Sequence, residues 1–219
     1  MKVNLKIPTT LNDVTLAQYQ EFSKLESKLE DTNDSSIQLE IVKIFCNVSD
    51  DVVRRMKATD IAEICGIINS MFDSSNDQLL KRFTLNGVEY GFIPELDDMS
   101  FGEYMDLDTF IGDNNNLHRA LNVLFRPIEY KRGNRYNIKD YDPDTSEIAK
   151  EFPLDVVLGA IVFFYNLGKD LSMVMLNSLE KKNEKALAQH LLSQQSGDGL
   201  THSLESLKEI LQDLKISLN

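Results

Sequence analysis

The chain has 219 residues, 42% of them hydrophobic, and a formal net charge of −12 at pH 7. That length and apolar content suffice for one large domain or two small ones with a sizeable core. The acidic balance opposes binding to nucleic acid, because affinity for phosphate backbones comes from Lys and Arg side chains. We therefore expect no nucleic-acid partner.

The cysteines and the most apolar run limit the class of protein further. Cys46 and Cys65 lie in apolar helical patterns without partners at metal-ligand spacing, which favours buried thiols in a reducing compartment over a disulfide or a zinc site. The most apolar run, residues 156–167, is shorter than the roughly 20 residues that span a bilayer. The N-terminal residues lack the uninterrupted apolar segment of a secretory signal. We expect no membrane partner.

The first elements are a short strand and a capped helix. Residues 2–7 alternate polar and apolar side chains, which predicts a strand with one buried face. Thr15 and Gln18 have the spacing of a capping box, in which each side chain accepts a hydrogen bond from the other residue's free backbone N–H. This pair predicts a helix that runs to about Glu30.

Further helices follow, each indicated by an apolar stripe or by a cap. Ser49 and Thr59 are candidate N-caps, and the helix after Thr59 should end near Phe72. Before them lies a helix whose apolar positions recur at the spacing of one buried face. Its stripe consists of Ile37, Ile41, Ile44, Phe45 and Val48.

The periodicity then changes from that of a helix to that of a strand. Asn86 and Gly87 separate two alternating segments, and both residues tolerate the positive φ of a type I′ turn. We therefore predict a β-hairpin. Its second strand leads to Pro94, after which Ser100 and Glu103 form a second capping box.

An altered copy of the segment after Ile7 recurs near the middle of the chain. Residues 13–22 match residues 98–107 in residue class at nearly every position, and an Ile-Pro pair precedes each copy. We predict a strand–helix–helix duplication over about residues 2–48 and 88–128; the alternative is that two capped amphipathic helices simply look alike. The second copy's apolar stripe is Leu117, Leu121, Leu124, Phe125 and Ile128.

A second hairpin and a central helix complete the domain. Residues 128–138 predict a hairpin that turns at Gly133-Asn134. Pro153 suits the first turn of a helix, where its missing N–H costs nothing. Because residues 154–167 are apolar nearly all round, that helix should lie in the centre of the domain. The expected fold is α+β and predominantly helical, with short antiparallel hairpins.

A polar linker isolates the C-terminal segment. We predict one domain over residues 1–195, a linker over 196–202 and a tethered amphipathic helix over 203–219. A lone helix of this length is marginal in water, and leaving its leucines exposed forgoes roughly 1.5–3 kcal/mol each. It should therefore dock on its own domain or on another chain, through Leu204, Leu207, Leu211 and Leu214.

One acidic loop has the ligand spacing of a calcium site. Pro143 interrupts the loop, and Thr145 stands where an EF-hand needs glycine. A solvated acidic loop that caps a short helix at Thr145 explains the pattern as well, and we prefer it. A metal-binding or small-ligand-binding regulatory module remains the alternative function, with carboxylates from Asp140, Asp142, Asp144 and Glu151.

Other candidate chemistry is better explained by packing and capping. Gly159 and Gly168-Lys169 lack the spacing of a phosphate loop, and no pair of histidines among His118, His190 and His202 has the spacing of metal ligands on a helix. The acids of the second repeat suit the start of a helix, where the helix dipole favours negative charge. The alternative is that they supply an acid/base pair. These acids are Asp97, Asp98, Glu103, Asp106 and Asp108. We predict no catalytic residue and no cofactor.

Positive charge is concentrated around the second hairpin, with Tyr130 and Tyr136 interleaved. This patch either binds an acidic surface of a partner or of another copy of the chain, or is an ordinary hairpin surface; single-stranded nucleic acid is a third reading. We predict partner binding by Lys131, Arg132 and Arg135. The full patch consists of Arg119, Arg126, Lys131, Arg132 and Arg135.

With these segments placed, the chain resembles small virion and tail-assembly proteins of tailed bacteriophages. The nearest are baseplate and tail-assembly accessory proteins of contractile-tailed phages and structural proteins of crAss-like phages. The resemblance implies a non-enzymatic virion component, present in the host cytoplasm during assembly, that binds other virion or assembly proteins or itself. The resembling segments are 16–22, 49–64, 93–107, 126–128 and 152–168.

Overall fold

Helices dominate the structure, and one antiparallel sheet of four strands in the order β1-β2-β3-β4 completes it. A computed structural model describes residues 5–26, 34–73 and 78–181, together with the single positions Ser206 and Lys208. The predicted α+β, predominantly helical fold class is confirmed.

Along the chain, each of two groups of helices is followed by a pair of strands, and one long helix comes last. The helices are α1 (Leu16–Glu26), α2 (Asp34–Cys46), α3 (Asp50–Val53), α4 (Ala58–Asp73), α5 (Phe101–Phe110), α6 (Leu117–Leu124) and α7 (Leu154–Lys181). The strands are β1 (Arg82–Leu85), β2 (Val88–Phe92), β3 (Phe125–Arg132) and β4 (Arg135–Ile138). Short 3₁₀ helices lie at Leu11–Asp13, Leu96–Asp98 and Pro143–Glu151.

The N-terminal strand prediction is wrong for the part of it that the structure describes. Leu5–Ile7 belong to no strand, and the described sheet consists of β1 to β4 alone. Leu5 and Ile7 instead pack against the core as half-buried side chains. Alternation therefore predicted which side chains are buried, but not the backbone pairing.

The predicted capping box starts α1. The backbone N–H of Thr15 donates to Gln18 Oε1 over 2.9 Å, and the N–H of Gln18 donates to Thr15 Oγ1 over 3.3 Å. Both bonds satisfy donors that have no partner inside the helix. The helix is confirmed as far as Glu26, and residues 27–30 lie outside the described part.

The predicted stripe of α2 is buried only in part. Ile44 and Phe45 are buried as predicted, whereas Ile37 and Ile41 are half-buried and the core also takes Val42 and Cys46. The helix ends at Cys46, and the left-handed φ of 51° at Asn47 lets the next N–H donate back to the Lys43 carbonyl over 3.1 Å. This is a Schellman ending, so Val48 lies beyond the helix.

Of the N-caps predicted for the next two helices, one is confirmed and one is wrong. Ser49 is the N-cap residue of α3, as predicted. Thr59 is not a cap, because α4 already begins at Ala58 and the Lys57 carbonyl accepts the first helical N–H groups, those of Asp60 and Ile61. The helix ends at Asp73, close to the predicted Phe72.

Both predicted hairpins are present. Asn86 and Gly87 have φ of 51° and 79° between β1 and β2, as a type I′ turn requires. Gly133, at φ 61°, begins the turn between β3 and β4. The sequence did not indicate that β2 and β3 also pair, with Phe92 opposite Phe125, so that the two hairpins form one sheet.

The helix after residue 116 is shorter than its stripe predicted. It ends at Leu124, and Phe125 and Ile128 belong to β3. The reason is Pro127, which disfavours helical backbone at Arg126 and so commits the segment to an extended conformation. The predicted stripe thus spans two elements.

The core is one cluster of buried side chains that runs from Leu11 to Val162. Residues 156–162 of α7 are all buried, as predicted, whereas residues 163–167, also predicted to be central, are half-buried or exposed. The helix continues past Gly168 to Lys181 without a break. None of the described helices is long and apolar enough to cross a membrane.

The N-terminal segment is joined to the start of α7 by backbone hydrogen bonds. Thr15 and Pro153 form an isolated antiparallel bridge, in which the N–H of Leu16 donates to the Phe152 carbonyl over 3.0 Å. The N–H of Leu154 donates to the Val14 carbonyl over 2.9 Å. These bonds place α1 against the segment that enters α7.

Candidate protein-interaction surfaces

The predicted basic patch does not form one surface. Arg126 is buried and forms an ion pair with Glu103, with Nη1 and Oε1 2.8 Å apart. The guanidinium of Arg119 lies over the ring of Phe110, 4.6 Å from its centroid, in a cation–π contact. Arg126 is therefore held inside the fold, and Arg119, although exposed, contacts the neighbouring helix α5.

Within the hairpin, Lys131 also has a partner of its own. Its Nζ lies 2.8 Å from Glu89 Oε1 on β2. Because side chains alternate along a strand, Lys131 lies on the opposite face from Arg132. Lys131 thus already forms an ion pair within the chain, and its partner-binding role stays a prediction.

Arg132 and Arg135 lie directly opposite each other across the β3–β4 pair. Like charges in this position destabilise a hairpin. Both side chains are exposed, and neither has an ion-pair partner among the residues that the structure describes. Tyr130 precedes them and is 61% exposed. We call Tyr130, Arg132 and Arg135 the hairpin tip.

Tyr136, next to the hairpin tip, attaches β4 to the rest of the sheet. The hydroxyl of Tyr136 donates to the Phe92 carbonyl over 2.7 Å, and its ring covers Gly91, where a Cβ atom would lie 2.5 Å from it. Gly91 is therefore required for the close approach of this ring. The residue that follows the hairpin tip is thus held against β2.

A second exposed surface lies on α5. Phe101, Tyr104 and Met105 are 78%, 54% and 45% exposed, and their spacing of one helical turn places them on one face. We call these residues the α5 face. The acids Asp97, Asp98 and Asp108 around it are exposed and have no ion-pair partner in the described segments.

Sequence patterns assigned these acids to the helix start and did not single out the α5 face. A signal was present, however. The apolar residues of α5 extend over a wide arc of the helix, from buried Leu107 to exposed Phe101 and Met105. A helix that is apolar on more than one side has a second face to cover.

The second capping box is present and has an additional role. The N–H of Ser100 donates to Glu103 Oε2 over 2.7 Å, and Ser100 Oγ accepts from the Glu103 N–H over 3.3 Å. Burial raises the pKa of Glu103, but the hydrogen bonds from Ser100 and the charge of Arg126 outweigh it and hold that pKa below its usual value. Glu103 is therefore ionised and paired.

The two predicted repeats share local geometry. In each, an Ile-Pro pair precedes a 3₁₀ helix and then a helix with a capping box. The box residue also reaches the end of the following helix: Gln18 Nε2 donates to the Ile44 carbonyl over 2.7 Å, and Glu103 pairs with Arg126 just after α6. Common ancestry of the two segments remains a prediction.

Burial differs sharply between aligned positions of the repeats. Leu16 and Tyr19 in α1 are 0% and 4% exposed, whereas their aligned residues Phe101 and Tyr104 form much of the α5 face. The start of α1 also pairs with the segment at Pro153, which bridges to the capping residue Thr15. In the described part of the chain, nothing comparable covers the α5 face.

The acidic loop serves to cap a helix. Asp142, not the predicted Thr145, is the N-cap residue of the 3₁₀ helix that begins at Pro143, and its Oδ1 accepts from the Asp144 N–H over 3.0 Å. Glu151 lies elsewhere, accepting from Asn86 Nδ2 over 2.9 Å. Among the described residues, no group of three or more His, Cys, Asp or Glu side chains is arranged to hold a metal ion.

The remaining candidate groups lie in packed positions or outside the description. His118 is buried, and burial together with the Lys150 charge lowers its pKa despite Glu147 nearby. Cys46 and Cys65 are buried free thiols, as predicted, and burial, with the nearby Cys65, raises the pKa of Cys46 to about 11. The candidate residues outside the described part are His190, His202, Leu204, Leu207, Leu211 and Leu214.

A comparison of the chain with protein-family models, curated proteins and solved structures found no match. The hairpin tip and the α5 face are therefore interpreted from their own geometry and charge.

Proposed function

We propose that this chain is a non-enzymatic structural or assembly protein of a tailed bacteriophage, which acts through contacts with other virion or assembly proteins. The phage context rests on the sequence resemblance. The observation that carries a binding role is the hairpin tip, where Arg132 and Arg135 face each other and neither forms an ion pair with an acid of the described segments.

The charge arrangement at the tip favours an acidic partner. Directly opposed like charges cost about 0.2–1 kcal/mol in a strand pair, and a carboxylate placed between them removes that cost. Arginine binds carboxylates through two parallel hydrogen bonds, and the exposed ring of Tyr130 adds apolar area beside them. Tyrosine and arginine are the residues that most often dominate binding energy at interfaces.

The leucine-rich C-terminal segment is the second proposed contact. Its leucines recur at the spacing of one helical face, which suits a groove on a partner or on the domain itself. The alternative function, a metal-binding or small-ligand-binding module at the acidic loop, has no supporting observation among the described carboxylates.

The hairpin tip is tested by charge reversal. Arg132→Glu with Arg135→Glu should weaken capture of particle components by about tenfold or more, measured by quantitative mass spectrometry of proteins bound to the tagged full chain in lysate of producing cells. The matched control is Arg55→Glu with Lys57→Glu, which makes the same change in net charge at exposed positions away from the tip. An equal loss of captured components in both variants would show that the effect comes from net charge and not from the hairpin tip.

The structural role itself is tested by composition of purified particles. We expect the chain at a fixed ratio to other virion proteins, or in assembly intermediates if it leaves before completion. Its absence from both particles and intermediates would refute the proposed function.

A further inference from the structure

We infer that the α5 face binds the hairpin tip of a second copy of this chain, so that copies associate head to tail. This inference rests on the proposed function and names the partner for one of its surfaces.

The two surfaces are complementary in charge and in apolar character. The α5 face presents exposed rings of Phe101 and Tyr104 beside the unpaired acids Asp97, Asp98 and Asp108. The hairpin tip presents one exposed ring beside two arginines. In a chain of net charge −12, the tip of a second copy offers those acids two adjacent positive charges that form no ion pair within the described segments.

The arginines suit the rings as well as the acids. A guanidinium above an aromatic face gains about 0.5–1 kcal/mol at exposed sites and more when water is excluded. The same helix already shows this contact on another side, where Arg119 lies over Phe110. Arg132 or Arg135 of a second copy can bind Tyr104 or Phe101 in the same manner while reaching a flanking carboxylate.

One molecule cannot satisfy both surfaces by itself in the described arrangement. Phe101 and Tyr130 are the most exposed large apolar side chains in the described segments, at 78% and 61%, so the tip does not cover the α5 face of its own chain. Each molecule therefore has one tip and one face available, and a second molecule can engage either.

The first repeat shows what kind of segment lies beside the start of its capped helix. There the extended backbone at Phe152 accepts the N–H of Leu16, and Pro153 bridges to the capping residue Thr15. The hairpin tip is likewise extended and carries an aromatic residue, Tyr130. The capping residue aligned with Thr15 is Ser100, beside Phe101.

A contact between different surfaces has a consequence for assembly. Because the tip and the face are not the same patch, the interface is heterologous, and each added copy leaves a new free surface. The products are rings if the rotation closes and filaments if it does not. When the rotation closes after two copies, the ring is a two-fold dimer in which each tip binds the face of the other copy.

The experiment mixes variants that each lack one surface. The tip variant is Arg132→Glu with Arg135→Glu, and the face variant is Phe101→Ser with Tyr104→Ser, all at exposed positions. By light scattering after size exclusion, the wild-type mass should rise with concentration at low salt and fall as salt screens the contact. Each variant alone should be monomeric, and their mixture should stop at a one-to-one dimer.

Charge exchange gives an independent readout. The tip variant combined with Asp97→Arg and Asp98→Arg in the same chain should regain association, while circular dichroism confirms that all variants remain folded. A wild type that stays monomeric up to millimolar concentration, or single variants that associate like the wild type, would overturn the inference.

A reporter at Tyr104 separates a second copy from the chain's own C-terminal segment. Tyr104→Trp introduces a single tryptophan into a chain that has none. A blue shift of its emission that grows with concentration supports the inference. A blue shift that is independent of concentration and lost on Leu207→Gln with Leu211→Gln assigns the face to the C-terminal segment and overturns it. If the inference is overturned in either experiment, capture of other particle proteins by the hairpin tip remains a separate test of the proposed function.

Discussion

Single residues at the two capping boxes do more than begin helices. Gln18 and Glu103 occupy the same position of the box, and both side chains also bind the end of the next helix. The partner differs, however: a carbonyl oxygen that needs a donor in the first case, and a buried guanidinium that needs a negative charge in the second. The choice between glutamine and glutamate is therefore dictated by that second contact.

Exchanging these two residues should destabilise the protein although either residue can form a capping box. Glu103→Gln leaves the buried Arg126 without its counter-charge, which should lower the free energy of unfolding by about 3 kcal/mol. Gln18→Glu replaces a donor to the Ile44 carbonyl by a carboxylate, which should cost about 1–3 kcal/mol. Urea unfolding at pH 7 measures both, and unchanged stability in either variant would contradict the assigned contact.

The pH dependence of the Glu103→Gln effect has a defined sign. Because the folded-state pKa of Glu103 lies below the usual value of 4.5, its contribution is fully present above about that pH and is lost as the pH falls through the folded-state pKa. The stability difference between wild type and variant should be constant near neutrality and should shrink in acid. A difference that does not change with pH would rule out a charge effect.

At the scale of elements, contacts within a few residues were predictable and contacts between distant residues were not. The Asn86-Gly87 turn and both capping boxes depend on adjacent residues, and each is present. The pairing of β2 with β3 joins strands from different hairpins, so no local pattern encodes it. The burial of Arg126 depends on that same pairing and was read from sequence as surface charge.

Helix α7 shows how a neighbouring backbone can reverse an intrinsic preference. Glycine in a helix is normally less stable than alanine by about 1 kcal/mol. At Gly159, however, an added Cβ would collide with the carbonyl group of Gln78, which belongs to the backbone and cannot rotate away. The glycine that superficially suggested a phosphate loop is thus explained by the close approach of a chain segment.

Two glycine substitutions test this explanation in matched helical settings. Gly159→Ala should destabilise the protein by about 1–3 kcal/mol, as overpacking does. Gly66→Ala in α4, where an added Cβ meets nothing within 4 Å, should stabilise it by about 1 kcal/mol. Melting temperatures of the two variants should therefore move in opposite directions, and a gain in both would refute the close contact at Gln78.

At the scale of the whole molecule, Phe152 links the parts of the core. Its ring is fully buried and lies 4.9 Å from the ring of Phe83 and 5.2 Å from that of Tyr90, between ring centroids. Its carbonyl accepts the N–H of Leu16 at the start of α1. The sheet, the first helix and the start of α7 thus share one residue.

We expect the described domain to unfold as one cooperative unit. Phe152→Ala should lower the free energy of unfolding by about 3–5 kcal/mol, with one calorimetric transition whose enthalpy equals the van't Hoff value. Phe101→Ala, the same change at an exposed position, should shift stability by less than about 0.5 kcal/mol. Two separate transitions, or hydrogen exchange that increases in only one repeat of the Phe152 variant, would indicate that the repeats are independent domains.

The backbone bridge between Thr15 and Pro153 constrains the order of events during synthesis. More than a hundred residues separate its partners, and translation adds residues at roughly 5–20 per second, so the N-terminal helix waits on the order of ten seconds for the segment that covers it. Until then Leu16 and Tyr19, buried in the finished protein, are exposed on the ribosome. That interval is when the nascent chain is most open to chaperones and to premature contact with other copies.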